Sequence, residues 1–343
     1  MSTIYDVAKR ANVSAMTVSR VINQKGNIGE ATRKRVEKAI EELNYFPNKS
    51  ARSLTSKATN ILSLLITDIN NPFFTKVARG AEDKALQLGY QVILSNSDEN
   101  IEKESRYIQM LLESQVDGIL IAPSGDESKN NIRTLIKHKI PFVQLDREVE
   151  GIESDVILGD SQKGTRMLID HLINQGHKRI ALINGPSYIS TARERRNAYM
   201  EALKYSGIPM EEHLMFETDY IQKDGLELVD YLVSLPKGKR PTAVFAANNF
   251  IAVRVIKALR KKGIRVPEDI ACVCFDDFDQ DIDLDPFLTV AAQPAYDFGF
   301  MGVQMLVDKI EGNMADKKRK IILPPEIIVR KSSLATTNDL ATH

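Results

Sequence analysis

The run Thr3-Ile-Tyr-Asp-Val-Ala-Lys-Arg-Ala-Asn-Val-Ser-Ala-Met-Thr-Val-Ser-Arg-Val-Ile-Asn23 holds two short helical periodicities with a break between them. Ile4, Val7, Ala8 and Ala11 repeat at i, i+3, i+4, i+7, which puts them on one helix face. Ser14 precedes a second run, Ala15–Asn23, with Val18, Val21 and Ile22 on one side. A serine hydroxyl there can accept a free first-turn amide, so Ser14 reads as an N-cap. A third helix opens at Gly29-Glu30-Ala31 and carries Val36, Ala39, Ile40 and Leu43 as its apolar stripe. It ends before Pro47, because proline restricts the residue preceding it. Residues 1–46 therefore read as a small all-α domain.

Charge separates this head from the rest of the chain. The 343 residues hold 46 basic and 46 acidic side chains. Residues 1–57 hold eleven basic against five acidic, a surplus of six, and the remainder carries the matching deficit. A cationic module on an anionic body suits a polyanion partner. Residues 47–59 are small, polar and basic around Leu54, too poor in apolar surface to fold alone, and read as a hinge.

From residue 60 to 333, apolar strands alternate with amphipathic runs. Strands are expected at Ile61–Thr67, Gln91–Ser95, Gly118–Ala122, Phe142–Leu145, Val156–Leu158, Ile180–Asn184, Leu214–Glu217, Ala243–Ala247, Ile270–Phe275 and Thr289–Ala292. Near-continuous Val/Ile/Leu strands in a β-α-β rhythm mean parallel sheets covered on both faces. The segment is long for one such sheet, so the fold class is α/β with two doubly wound parallel-sheet lobes behind a small helical head. The expected division is 60–160 plus 293–320 for one lobe and 161–292 plus 321–333 for the other, with 334–343 a disordered tail.

Ligands of open α/β sheets bind beyond the carboxyl ends of the strands. Those ends carry Asp68-Ile-Asn-Asn-Pro-Phe-Phe74, Asn96, Asp146-Arg147, Gly185-Pro186, Asn248-Asn249, Asp276-Asp277 and Gln293. Planar bidentate groups match vicinal hydroxyl pairs, and aromatic faces cover a sugar ring. Each Asp or Asn could equally cap the helix that follows it.

Other chemistries lack their signatures. There is no Gly-x-Gly-x-x-Gly after a strand, no Gly-x4-Gly-Lys-Ser/Thr and no Gly-x-Ser-x-Gly. The five histidines show no metal-ligand spacing, so neither metal nor cofactor is expected. No apolar stretch reaches the ~18 residues of a membrane helix, and Met1–Arg10 has no apolar export signal, so a cytoplasmic location is expected. Cys272 and Cys274 are expected to be buried hydrophobes on opposite faces of one strand.

Asp6-Val-Ala8, Val13-Ser14 and Thr17-Val-Ser-Arg-Val21 strongly resemble the helix-turn-helix of the LacI/GalR family of bacterial transcription regulators. Tyr45-x-Pro-Asn48 and Ala51-Arg-Ser-Leu54 resemble that family's hinge. Residues 60–333 are also similar to periplasmic ribose-type sugar-binding proteins, through Asn70-Asn-Pro-Phe-Phe74 and Leu145-Asp-Arg147. The resemblance implies a homodimer on a roughly palindromic operator. Ala15, Met16 and Arg20 would face base edges. Tyr5, Ser14, Thr17, Ser19, Asn23 and Asn48 would contact bases or phosphates, and Thr32 and Arg33 phosphates. Leu54 would wedge into the minor groove. It implies an effector site of Phe73 and Phe74 against the ring, with Asp146, Arg147, Arg195, Asn248, Asp276 and Gln293 on hydroxyls or a carboxylate and Tyr220 as a further wall. Asn249 departs from the acidic residue common at its position and is given no role, and Arg193 and Arg196 are expected to face solvent.

The expected function is thus a repressor of carbohydrate genes controlled by a small sugar or sugar acid. Rival expectations are a sugar-binding transport component, a sugar-cleaving enzyme using Asp146 and Asp276, and a global catabolite regulator that binds a phosphorylated partner protein. The last is suggested by the similarity of Leu94-Ser-Asn-Ser-Asp98 to such regulators. The enzyme is disfavoured because guanidinium and amide neighbours are expected to keep both aspartates ionised.

Overall fold

The computed structural model describes residues 2–22, 26–45, 58–219, 226–278, 285–313 and 318–334. Two compact units divide at Thr59 and Asn60.

In the first unit the helices run Ile4–Ala11, Ala15–Ile22 and Glu30–Glu42. A capping box opens the first: the Thr3 hydroxyl accepts from the Asp6 amide, and the Asp6 carboxylate takes the Thr3 N–H at 2.7 Å. That satisfies two orphan amides of the first turn reciprocally. Asn12, at φ 53°, stops the helix in the left-handed conformation that asparagine tolerates. The buried core is Val7, Ala8, Ala11, Val18, Val21, Val36 and Ala39, which are the stripes expected from periodicity.

The second unit contains two six-stranded sheets. The first orders β11-β5-β4-β3-β1-β2, with β1 Ile61–Ile66, β2 Gln91–Asn96, β3 Gly118–Ile121, β4 Phe142–Leu145, β5 Asp155–Gly159 and β11 Lys320–Leu323. The second orders β12-β10-β9-β8-β6-β7, with β6 Ile180–Asn184, β7 Met215–Glu217, β8 Ala243–Ala246, β9 Ala271–Phe275, β10 Thr289–Ala292 and β12 Glu326–Ile328. The two lobes repeat one plan: β2-β1-β3-β4-β5 and β7-β6-β8-β9-β10 are the same parallel order. They differ at the last strand, where β11 joins parallel to β5 and β12 antiparallel to β10.

The chain passes between lobes after β5, after β10 and after β11. Lys320–Leu323 therefore belongs to the first sheet, and the return to the second lobe falls beyond Leu323 rather than at the expected 320/321. β11 and β12 escaped sequence reading because each is short and half-exposed, so neither shows a continuous apolar run.

Cys272 and Cys274 correct one expectation. Both lie on the same face of β9, in one cluster with Val244 and Ala246, while Val273 and Phe275 join the opposite cluster. A strand's side-chain period is two, so i and i+2 share a face. Burial pushes the Cys272 thiol up to about 12, which makes it inert as a nucleophile at neutral pH.

The helices Pro72–Gln87 and Ala295–Ile310 pack backbone to backbone in the first lobe. A Cβ on Gly299 would stand 1.9 Å from the Val77 carbonyl oxygen, and one on Gly80 2.0 Å from that of Tyr296. Both clashes are with main chain and cannot be relieved by a rotamer change. Gly299→Ala is expected to destabilise the protein by about 1–3 kcal/mol, the usual cost of overpacking. Urea unfolding at constant slope reads this directly, and an unchanged midpoint would contradict the close approach.

Candidate functional site

The helical head presents a definable surface. The Ser14 hydroxyl accepts from the Thr17 amide at 3.1 Å and lies 2.9 Å from the Thr17 hydroxyl, so Ser14 caps the second helix and engages Thr17. Tyr5 and Met16 are 74% and 65% exposed, and Ser14, Arg20 and Arg33 are exposed as well. Large apolar side chains held in water on a small domain imply a contact surface. Thr17, Ser19 and Thr32 are half-buried. Ala15 packs partly into the head's core, so it is less available to a base than Met16 beside it. Asn23, Asn48 and Leu54 lie outside the described residues.

Between the lobes lies a cleft lined by, among others, Thr67, Asp68, Phe73, Phe74, Glu99, Asp146, Arg147, Thr191, Arg195, Asn248 and Asp276. The local fold explains how each arrives. Asp146 follows β4 and Asp276 follows β9, the equivalent strands of the two lobes. Both take left-handed φ values, 65° and 66°, and each amide bonds to the next strand, at Ile157 and Ala291. The same turn thus delivers one carboxylate from each lobe.

The arginines repeat the pattern. Arg147 donates to the Pro123 carbonyl beyond β3, and Arg195 to the Ala247 carbonyl beyond β8, at 3.3 and 2.6 Å. The Arg195 guanidinium also lies 3.9 Å over the Phe275 ring. Its Nε is buried without a hydrogen-bond partner, a donor that a ligand oxygen can fill. Phe73 and Phe74 meet edge to face with centroids 5.1 Å apart and form the apolar wall.

Two of the predicted residues do structural work. Asn248 caps the helix Asn249–Lys261 by accepting from the Ile251 amide at 2.8 Å, although it also lines the cleft. Gln293 sits behind the lining and donates to Asp276 at 2.7 Å, so it orients that carboxylate. Tyr220 lies outside the described residues.

The expected dominance of the guanidiniums over the aspartates is corrected in direction. Burial outweighs the nearby guanidiniums, raising Asp146 to about 6 and Asp276 in the same direction. Removal from water costs a carboxylate more than the arginines return.

Several residues were missed. Glu99 lines the cleft and grips Arg147 through two bonds of 2.6 and 2.7 Å. Asn249, given no role, donates across the lobes to Asn71 at 3.3 Å. Arg193, expected in solvent, reaches Asp126 of the other lobe at 2.6 Å. Beside it, the Asp126 amide donates to the Tyr188 carbonyl and the Glu148 amide to Ser190 Oγ. The only sequence signal for these was position after a strand or at a helix start; their partners are distant in sequence.

An exposed helical head joined to a two-lobed body with a polar interlobe cleft defines a class: a DNA-binding regulator that carries a small-ligand receptor. Residues 3–48 match the bacterial regulatory proteins of the lacI family, and residues 59–331 match the periplasmic binding proteins and sugar-binding domain of the LacI family. The chain belongs to the LacI family and is a DNA-binding transcriptional repressor with a sugar-binding domain, not an enzyme.

It is 35% identical to the HTH-type transcriptional repressor PurR of Aliivibrio fischeri (strain MJ11) over 97% of this chain and 99% of that one. It is 36% identical to the ribose operon repressor of Halalkalibacterium halodurans over 98% of this chain and 99% of that one. The Lac repressor dimer bound to operator and the anti-inducer ONPF superposes with a TM-score of 0.83 at 29% identity, covering 97% and 99% of the two chains. Among the described residues, no helix is long and apolar enough to cross a membrane.

Proposed function

We propose that the interlobe cleft binds a small sugar or sugar derivative and that binding sets the affinity of the head for operator DNA. The single observation that carries this reading is the convergence of Asp146 and Arg147 from one lobe with Arg195, Asn248 and Asp276 from the other beside Phe73 and Phe74. A ligand touching both lobes favours the closed arrangement by its differential affinity, which is the thermodynamic requirement for control. The ribose operon repressor among its relatives fits a carbohydrate effector.

The protein acts in this reading as a cytoplasmic homodimer on a palindromic operator, as the Lac repressor dimer is held on its operator. The edge strand β2 supports self-association, since it exposes Ile93 and Leu94 at 38% and 40%. In the head, Met16 meets a thymine methyl and Arg20 reads a guanine, while Tyr5, Ser14, Thr17, Ser19, Thr32 and Arg33 hold bases or phosphates. Leu54 of the hinge 47–59 wedges into the minor groove. A built cleft favours a small effector over a phosphorylated partner protein.

A thermal-shift screen of pentoses, hexoses and their acids tests the effector. A true effector at a hundredfold its Kd stabilises by about 2.7 kcal/mol, and the same compound must change operator affinity. A sugar that stabilises the protein without moving operator affinity, or a screen in which no sugar stabilises it, would overturn the reading.

A further inference from the structure

An arginine in a sugar site ordinarily suggests a carboxylate on the ligand. Here the fork of Arg147 is already filled: Nη1 and Nη2 each donate to one oxygen of Glu99, at 2.6 and 2.7 Å. Both side chains are removed from water, with 7% and 12% of their surfaces exposed. The third side of the guanidinium faces Asp146, with Nε 3.5 Å from the carboxylate. A ligand carboxylate would have to displace a desolvated bidentate pair to reach Arg147.

The backbone is arranged to hold Glu99 there. Asp98 and Glu99 both sit at φ 53°, the left-handed region that aspartate tolerates and glutamate rarely occupies. The turn is pinned by the Glu99 amide on the Thr67 carbonyl at 3.1 Å and by Asp98, which accepts from Asn96 and pairs with Lys103. Backbone strain of this kind persists where surrounding structure over-determines it, and it concentrates at ligand sites. Stability alone does not account for the pair, because a desolvated ion pair is often no better than apolar side chains of the same shape.

The rest of the cleft agrees. Asp68, Glu99, Asp146 and Asp276 line it against Arg147 and Arg195. With four carboxylates to two guanidiniums, an additional anion meets net repulsion in a dry site.

Resting on the effector reading above, we propose that Glu99 is the specificity-determining residue of the cleft. By filling the Arg147 fork it selects a neutral sugar and rejects the corresponding sugar acid.

Matched pairs test this on the full-length protein at pH 8 by calorimetric titration: ribose with ribonate, and galactose with galacturonate. Wild type is expected to bind the neutral member of its preferred pair at least tenfold more tightly. Glu99→Gln, which frees the guanidinium, should narrow or invert that ratio by at least tenfold. Glu99→Asp, which keeps the charge, should preserve the preference. A wild type that takes acid and neutral sugar equally overturns the proposal whether or not a variant folds, as does a ratio unmoved by Glu99→Gln. Wild type that binds neither member of either pair, nor any compound of the wider screen, would instead overturn the effector reading, so the two failures are distinguishable.

Discussion

Operator affinity of the intact protein is expected to fall by about 10³–10⁵-fold when monovalent salt rises from about 50 to about 200 mM, the response of a protein neutralising about 6–10 phosphates. The head supplies the charge. Residues 1–57 carry a surplus of six positive charges, and a dimer presents two such heads to one duplex. Not every cation is available, since Arg10 is paired with Glu42 and Lys34 with Glu30. Arg20 and Arg33 are exposed, as Tyr5 and Met16 are. The remainder of the chain carries the matching deficit, so the charge that attracts a duplex lies in the head. Log–log slopes from fluorescence anisotropy measure the number of ions released, at about −0.9 per phosphate. A slope near zero would mean that the head does not bind along a phosphate backbone, and the assignment of its residues would go with it.

The legibility of this fold followed the length scale of the interaction. Stripes such as Val7, Ala8 and Ala11, and the continuous apolar strands β1, β3, β6 and β9, are local patterns, so periodicity found them. β11 and β12 are defined by the neighbours they pair with, and four or three half-exposed residues carry no pattern.

The site divides the same way. Asp146 and Asp276 were readable because strand ends are where such sheets bind ligands. Their environment was not readable: whether burial or neighbouring guanidiniums dominate depends on packing. Glu99 lies 48 residues from Arg147, and Arg193 lies 67 from Asp126. Both sit beside residues that sequence had singled out, yet a bidentate pair leaves no trace in one sequence. Asn248 shows the converse, because its cap bond and its place in the cleft are both real, so the two readings of one asparagine were never alternatives.

Asp146→Asn is expected to weaken the effector and to strengthen the empty protein. In the effector reading proposed above the carboxylate accepts from ligand hydroxyls through a charge, and hydrogen bonds to charged groups contribute about 1.5–3 kcal/mol, so affinity should fall about tenfold to a hundredfold. Stability moves the other way. Burial raises Asp146 to about 6 in the folded protein from a usual value of 3.8. Between those values the folded state holds a proton that the unfolded chain has lost. This group's contribution is therefore fully present below about 3.8 and is lost as pH rises through about 6. Above pH 7 the wild type keeps an ionised carboxylate where a neutral group would be preferred, a cost of about 3 kcal/mol at about 1.4 kcal/mol per tenfold change in proton affinity. Asparagine has the same shape, carries no charge and tolerates the φ of 65° at this turn, so the lost pairing with Arg147 Nε, 3.5 Å away, trims the gain without reversing it. Urea unfolding of ligand-free protein at pH 8 should show the variant more stable, with the difference closing towards pH 4. A variant less stable at pH 8, or a difference that grows with acid, would show that the arginines dominate after all. Taken with lost affinity, the expected result means that the cleft is held in an unfavourable charge state which a bound sugar relieves.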